Sequence, residues 1–201
     1  MKKIVVAWVI CVLGLVVLFA FMGGDFMAKS RNTLEVGDDR ALIKAEFTLQ
    51  NAHGNTVTAT DFRGRYLLVY FGFTHCPDIC PTSLLLMSNA LKQLGKKAAS
   101  IQPVFITVDP ERDTPTLVNT YVSHFDKNIV GLSGTPEQIK EAAYHFKVFY
   151  SKVETKESAL GYVVDHSGFI YLMGPDGNYI THFPSTVSEQ ELTQGLHRHV
   201  R

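Results

Sequence analysis

Cysteine is scarce in this chain, which has three cysteines among its 201 residues. A scaffold stapled by several disulfides is therefore excluded, and so is a structural zinc site built from four cysteines. An excess of positive or negative charge is also lacking, because 19 Lys and Arg residues balance 19 Asp and Glu residues. Without a basic excess, nothing indicates nucleic acid as a partner. Repeats and low-complexity tracts are absent too, which leaves a globular domain that can bury its own core.

The longest apolar run lies near the N-terminus. Lys2 and Lys3 precede the segment 4–22, which contains no charged residue. A helix of this length can cross the ~30 Å hydrocarbon core of a membrane. The two lysines would then stay in the cytoplasm and the rest of the chain would lie outside. A cleaved signal peptide is the alternative, although no small-residue cleavage site follows the run. Cys11 follows Ile10, so a lipoprotein-type processing site is not expected.

This run divides the chain into three parts. We expect a transmembrane anchor at 1–24, a polar tether at 25–44 and one folded domain at 45–201. The domain would lie on the periplasmic (extracytoplasmic) side of the cytoplasmic (inner) membrane. The single-pass N-terminal helix would attach it to that membrane. Its thiols would therefore meet an oxidising compartment.

Apolar patterning predicts the strands of this domain. Continuous apolar runs at 66–73 and 101–108 indicate buried central strands. Alternation on either side of the loop 51–55 indicates an N-terminal β-hairpin. Further short strands are expected at 129–132, 149–153, 163–166, 169–173 and 179–183.

Amphipathic segments with recognisable starts predict the helices. Proline in a first turn and Ser or Thr caps favour helices at 81–94, 114–125, 136–146 and from Ser188 onward. Strands and helices that alternate in this way indicate an α/β fold. A βαβ unit followed by a hairpin and a closing helix is the order of a thioredoxin-like domain, with the remaining two cysteines at the start of its first helix.

Cys76 and Cys80 are separated by three residues and follow the strand at 66–73. Pro81 fits the first turn of a helix but not its interior, so we expect Cys80 at the helix cap and Cys76 on the preceding loop. The positive end of a helix stabilises a thiolate. The pair can hold a soft metal ion, cycle between dithiol and disulfide, or form a structural disulfide, which would add little stability across so short a loop.

Two thiolates and one imidazole suit Cu(I), whereas four sulfur or nitrogen donors indicate zinc. Among the eight histidines, His166 is the best third ligand because it lies at a strand–turn junction. Asp165 can orient its ring or offer a weak oxygen ligand. His75 can lower the pKa of Cys76 or simply be exposed. A lone histidine is also commonly a surface residue, and that is the interpretation of His53, His124, His145, His182, His197 and His199.

Three separated motifs resemble the Sco/SenC family, membrane-anchored copper proteins for the assembly of cytochrome c oxidase. They are Phe-Gly-Phe-Thr-His-Cys-Pro-Asp-Ile-Cys-Pro at 71–81, Thr-Val-Asp-Pro-Glu-Arg-Asp-Thr-Pro at 107–115 and Val-Asp-His-Ser at 164–167. The three motifs occur in the same order as in the family, which makes the resemblance specific. A lone Cys-x-x-x-Cys would be a weak signal. The resemblance runs from about Ala45 to the C-terminus.

The resemblance implies a thioredoxin-like fold and a copper site, for Cu(I) and Cu(II), formed by Cys76, Cys80 and His166. It also implies cytochrome c oxidase subunit II as a partner, together with other copper chaperones or thiol reductants. Members differ in whether they deliver copper or reduce the cysteines of the recipient. Three functions therefore stay open. The first two are a copper chaperone and a thiol-disulfide reductase with Cys76 and Cys80 as its catalytic pair. The third, and most distant, is a peroxidase of the same fold.

Overall fold

The computed structural model describes residues 42–155 and 161–201. The predicted anchor, most of the predicted tether and Cys11 lie outside these residues. In the part of the chain that is described, no helix is both long enough and apolar enough to cross a membrane.

The described residues form nine strands and four α-helices. The strands are β1 (Thr48–Gln50), β2 (Thr56–Thr58), β3 (Tyr66–Gly72), β4 (Ile101–Thr107), β5 (Val130–Leu132), β6 (Tyr150–Glu154), β7 (Tyr162–His166), β8 (Phe169–Met173) and β9 (Tyr179–Pro184). The helices are α1 (Ile79–Leu94), α2 (Pro115–Ser123), α3 (Pro136–Phe146) and α4 (Glu189–His199). Two 3-10 segments, Ala59–Phe62 and Gly95–Ser100, complete the described elements.

A five-stranded mixed sheet forms the centre of the fold, in the order β5-β4-β3-β8-β9. Strand β3 runs parallel to β4 and antiparallel to β8, and β9 pairs antiparallel with β8. Residues 67–71 of β3 are almost fully buried, as expected for a continuously apolar strand in the middle of a sheet. The predicted α/β order, a βαβ unit followed by a hairpin and a closing helix, is confirmed.

Two small antiparallel sheets lie apart from the central sheet. Strands β1 and β2 pair with Thr48 opposite Thr58. Strands β6 and β7 pair with Tyr150 opposite His166 and Glu154 opposite Tyr162. The second pair carries His166 at one end.

The sequence signals for helix starts are largely confirmed. Thr114 caps α2 by accepting a hydrogen bond from Leu117 N, with Pro115 at the first helical position. Capping boxes open α3 at Thr135 and α4 at Ser188. Helix ends shift from prediction by one or two residues, which is common where the last turn frays.

Helix α1 begins at Ile79, two residues before its predicted start at Pro81, with Asp78 at the N-cap. Cys80 is therefore the second helical residue and not the cap, which corrects the sequence prediction. The physical reason is that the first four N–H groups of a helix have no acceptor within it. Pro81 can therefore occupy the third helical position without losing a hydrogen bond, as it can elsewhere in a first turn.

Candidate functional site

The cysteine segment lies where β3 ends and α1 begins. After Gly72 the chain turns, and Cys76 N donates to the carbonyl of Phe73 at 3.3 Å. One further turn brings Cys80 back, so that its backbone N–H donates to Cys76 Sγ at 3.4 Å. Both cysteines are free thiols, with Cys80 buried and Cys76 half-buried. A single turn thus draws the two sulfurs together, as the sequence predicted.

Gly72 provides the space that Cys80 occupies. A Cβ atom at position 72 would lie 2.8 Å from Cys80 Sγ and 2.9 Å from an edge carbon of the Phe105 ring. Both distances are shorter than real carbon contacts. The sulfur can therefore pack against the end of β3 only because this residue has no side chain.

His166 reaches the cysteines from the far end of β7. Its Nε2 lies 3.7 Å from Cys80 Sγ, although 86 residues separate the two along the chain. Its Nδ1 lies 3.1 Å from the carbonyl oxygen of Ser167, which can only accept a hydrogen bond. In the neutral ring the proton is therefore on Nδ1, which leaves the lone pair on Nε2, the atom that faces the sulfur. The rings of Tyr70 and Phe73 each pack edge-on against the imidazole, with their centroids 6.1 Å from the centroid of the His166 ring.

The role expected of Asp165 is filled by another group. The acceptor that orients the imidazole is the carbonyl of Ser167. Asp165 is exposed, and successive strand residues point to opposite faces, so its carboxylate lies away from His166. His75 likewise contacts Thr74 Oγ1 at 3.0 Å and Asp113 Oδ1 at 3.6 Å, and not Cys76.

The two thiols are electrostatically unequal. A hydrogen bond from the thiol of Cys80 is the main cause that lowers the pKa of Cys76, to about 5. Partial burial opposes this shift, while the backbone N–H groups at the start of α1 reinforce it. The same contact, together with burial, raises the pKa of Cys80 far above its ordinary value. The structure therefore pairs a thiolate at Cys76 with a neutral thiol at Cys80.

Two buried carboxylates near the site were not assigned a site role from the sequence. Asp113 is fully buried and accepts hydrogen bonds from Thr74 N at 2.9 Å, Thr74 Oγ1 at 2.5 Å and Thr107 Oγ1 at 2.6 Å. Asp113 therefore holds the start of the cysteine segment. Asp109, also fully buried, accepts from Tyr162 at the other end of β7. The motif at 107–115 contributes to the family resemblance, but local patterns do not reveal such distant partners.

The three predicted donors meet in pairs. Cys80 contacts both Cys76 and His166. Within residues 42–155 and 161–201, however, no three His, Cys, Asp or Glu side chains are arranged around one point as metal ligands are. The donor set of two sulfurs and one unprotonated imidazole nitrogen is chemically suited to a soft ion such as Cu(I). The same sulfur pair is also arranged for thiol–disulfide exchange.

Comparison with known proteins gives one consistent family. The family model described as SCO1/SenC matches residues 36–201. A SCO2-like protein of Rickettsia felis is 40% identical over 163 residues, which cover 81% of this chain and 80% of the relative. The structure of Arabidopsis thaliana ScoI with copper bound has 39% identity and a TM-score of 0.73, over 78% of this chain and 96% of that one.

A more distant solved structure is described as having a redox feature of its own. BsSco, described as a member of the Sco family of cytochrome c oxidase assembly proteins and as having a disulfide switch, is 25% identical. The similarity covers 78% of this chain and 92% of BsSco, with a TM-score of 0.60. The α/β fold described above is therefore shared with solved Sco structures.

Replacing Gly72 with alanine should destabilise the protein and displace Cys80. The added methyl group would overlap a buried sulfur and an aromatic ring, and overpacking of this kind typically costs about 1–3 kcal/mol. Urea denaturation of the reduced protein measures the change. A Gly72→Ala variant with the parent's unfolding midpoint would show that this close approach is not required.

The pKa of Cys76 should be visible in its reactivity. Because the folded-state pKa is lowered to about 5, alkylation of Cys76 should be nearly constant from neutral pH down to about 6 and fall as the pH passes through 5. The reduced protein should also lose stability over the range from about 8.5, the ordinary thiol pKa, down to that value. Mass-spectrometric alkylation rates measured against pH test this.

The Cys80→Ala variant is the control for this titration. Its loss of the thiol donor should move the midpoint for Cys76 upward. A midpoint for the parent near the ordinary thiol value would contradict the assignment.

Proposed function

The chain belongs to the SCO1/SenC family, and we propose that it binds copper through Cys76, Cys80 and His166. We further propose that it delivers this copper to the dinuclear copper site of cytochrome c oxidase subunit II during assembly of the oxidase. The observation that carries the proposal is the contact of Cys80 Sγ with His166 Nε2 at 3.7 Å, which joins two distant segments of the chain. A contact between these residue types at a strand–helix junction serves a soft metal better than it serves packing.

The chemistry of the donors supports Cu(I) as cargo. Cys76 already favours the thiolate form, and Nε2 of His166 already carries a lone pair. Cys80 must lose its proton when the ion enters, since the thiolate is the ligand. Rotation of the half-buried Cys76 side chain on its loop and of the imidazole would bring all three donors to one point.

The exposure of the donors also suggests an order of transfer. Cys80 is fully buried, whereas Cys76 is half-buried and reachable by a partner's ligand. We infer that a recipient thiolate first replaces Cys76, and that Cys80 and His166 release the ion afterwards. The buried sulfur thus keeps the ion bound until the recipient has made its first bond.

The proposed place of action is the outer face of the cytoplasmic membrane. The support is the uncharged segment 4–22 after Lys2 and Lys3, which suits one membrane-spanning helix with the domain outside. The domain would then share a compartment with the copper domain of the oxidase subunit.

A second candidate function is favoured by the lowered pKa of Cys76. As a thiolate at neutral pH, Cys76 can attack a disulfide of the recipient, forming a mixed disulfide and releasing one recipient thiolate. Cys80, after losing its proton, then attacks Cys76 Sγ and releases the second recipient thiolate. The recipient disulfide gains two electrons and the Cys76–Cys80 pair becomes the disulfide, which an external thiol reductant must reduce again. Such a reductase would prepare the recipient's cysteines for copper.

Loss of a donor atom should separate these functions. Cys76→Ser, Cys80→Ser and His166→Ala should each lose tight copper binding, whereas only the cysteine variants should lose disulfide exchange. Asp165→Asn and His53→Ala are matched controls that remove an exposed charge and an exposed imidazole, and both should bind as the parent does. Competition titrations with Cu(I) and Cu(II) chelators give the affinities. Tight binding that survives His166→Ala but not Asp165→Asn would reverse the ligand assignment.

Oxidation of the cysteine pair should exclude copper. A Cys76–Cys80 disulfide removes both thiolates, so the oxidised domain should take up far less Cu(I) until it is reduced. Copper bound per protein, measured before and after reduction, is the readout. Equal uptake by the two forms would remove both cysteines from the site.

The topology can be tested in cells. Protease added to the outer face of the cytoplasmic membrane should digest the domain at 45–201, while a cytoplasmic marker protein stays intact. Protection of the domain until the membrane is lysed would place it on the cytoplasmic side and exclude delivery to an external copper site.

A further inference from the structure

The strand pair β6–β7 carries the proposed ligand His166 but is not part of the central sheet. It forms a two-stranded sheet of its own, with His166 at the end of β7. Isolated two-stranded sheets are marginally stable, and need support from other elements. Something must therefore fix this hairpin if His166 is to remain near Cys80.

The opposite end of β7 is held by a loop that follows β4. Tyr162, the first residue of β7, donates from its hydroxyl to Asp109 Oδ1 at 2.9 Å. Arg112 Nη1 donates to the carbonyl oxygen of Tyr162 at 3.3 Å. The guanidinium carbon of Arg112 lies 3.8 Å from the centroid of the Tyr162 ring. Tyr162 is thus held through its hydroxyl, its backbone and its ring face.

We call Asp109, Arg112 and Tyr162 together the clasp. Within it, the charges of Asp109 and Arg112 compensate each other. Asp109 is fully buried, and its second carboxylate oxygen accepts a hydrogen bond from Arg112 Nε. Arg112 exposes only 13% of its side chain. A buried carboxylate paired and hydrogen-bonded in this way has little freedom to move. The clasp is therefore a rigid attachment for the hairpin.

The same clasp reaches the imidazole by a second route. The guanidinium of Arg112 also lies 5.9 Å from the centroid of the Phe73 ring. Phe73 in turn packs edge-on against His166, with centroids 6.1 Å apart. Arg112 therefore supports both the strand that carries His166 and the Phe73 ring that packs against its imidazole.

We propose that Tyr162, held by Asp109 and Arg112, is a positioning residue that keeps His166 over the two cysteines. This rests on the proposed copper function but concerns the hairpin itself. Without the hydroxyl contact, β7 would sample orientations in which Nε2 lies away from Cys80. Copper affinity then falls in proportion to the fraction of molecules in which the ligand is in place.

The test compares Tyr162→Phe with Tyr150→Phe. Tyr162→Phe removes the hydrogen bond to Asp109 and keeps the stacked ring. Tyr150 lies opposite His166 in the same hairpin, and its hydroxyl has no hydrogen-bond partner among the described residues, so its replacement is the matched control. Hydrogen exchange of residues 162–166 in the copper-free protein is the first readout. Exchange should accelerate in Tyr162→Phe alone, and unchanged exchange would overturn the proposal.

Copper affinity is the second readout, measured in the parent and in a His166→Ala background. Tyr162→Phe should weaken binding about tenfold, the lower end of what supporting groups around ligands contribute. In the His166→Ala background it should cause no further loss, because a positioning residue acts only through its ligand. Unchanged affinity in Tyr162→Phe, or a loss that persists without His166, overturns the proposal even if thermal unfolding shows a less stable variant. A parent that binds no copper instead refutes the proposed function, while hydrogen exchange still decides the role of Tyr162.

Discussion

Two buried carboxylates on the loop after β4 connect the separate parts of the site. Asp113 holds Thr74, two residues before Cys76, and Asp109 holds Tyr162, four residues before His166. A carboxylate without hydrogen-bond partners would be very costly in this apolar interior. Each partner must therefore stay in place for the loop to stay buried. This requirement fixes the thiol segment and the histidine hairpin relative to one loop.

The strand–helix junction makes the two sulfurs unequal, and the proposed functions depend on that inequality. Gly72 lets Cys80 pack into the end of the sheet. There the hydrogen bond to Cys76, followed by burial, raises the pKa of Cys80 and keeps its thiol neutral. Cys76 stays half-buried beside the N–H groups of α1, where the thiolate is favoured. One accessible thiolate and one protected thiol suit stepwise ligand exchange with a metal. They equally suit a nucleophile and a resolving thiol, which explains why both functions can use one site.

The sequence patterns predicted elements better than partners. The apolar runs of β3 and β4 and the capping box at Thr135 are local signals, and each was confirmed. His166 was singled out because it lies at a strand–turn junction. The contacts that place it, from Asp109 to Tyr162 across 53 residues and from Cys80 across 86, leave no periodic trace in the sequence. Asp165 was preferred over the Ser167 carbonyl because side-chain chemistry is visible in a sequence and backbone geometry is not.

The central claim is that two sulfurs and one imidazole nitrogen from two chain segments bind one copper ion. X-ray absorption spectroscopy of the Cu(I)-loaded domain tests it most directly, because it counts the donor atoms around the metal. We expect two sulfur neighbours and one nitrogen neighbour in the parent, and loss of the nitrogen neighbour alone in His166→Ala. A parent spectrum with sulfur neighbours only, or a nitrogen neighbour that persists in His166→Ala, would contradict the account.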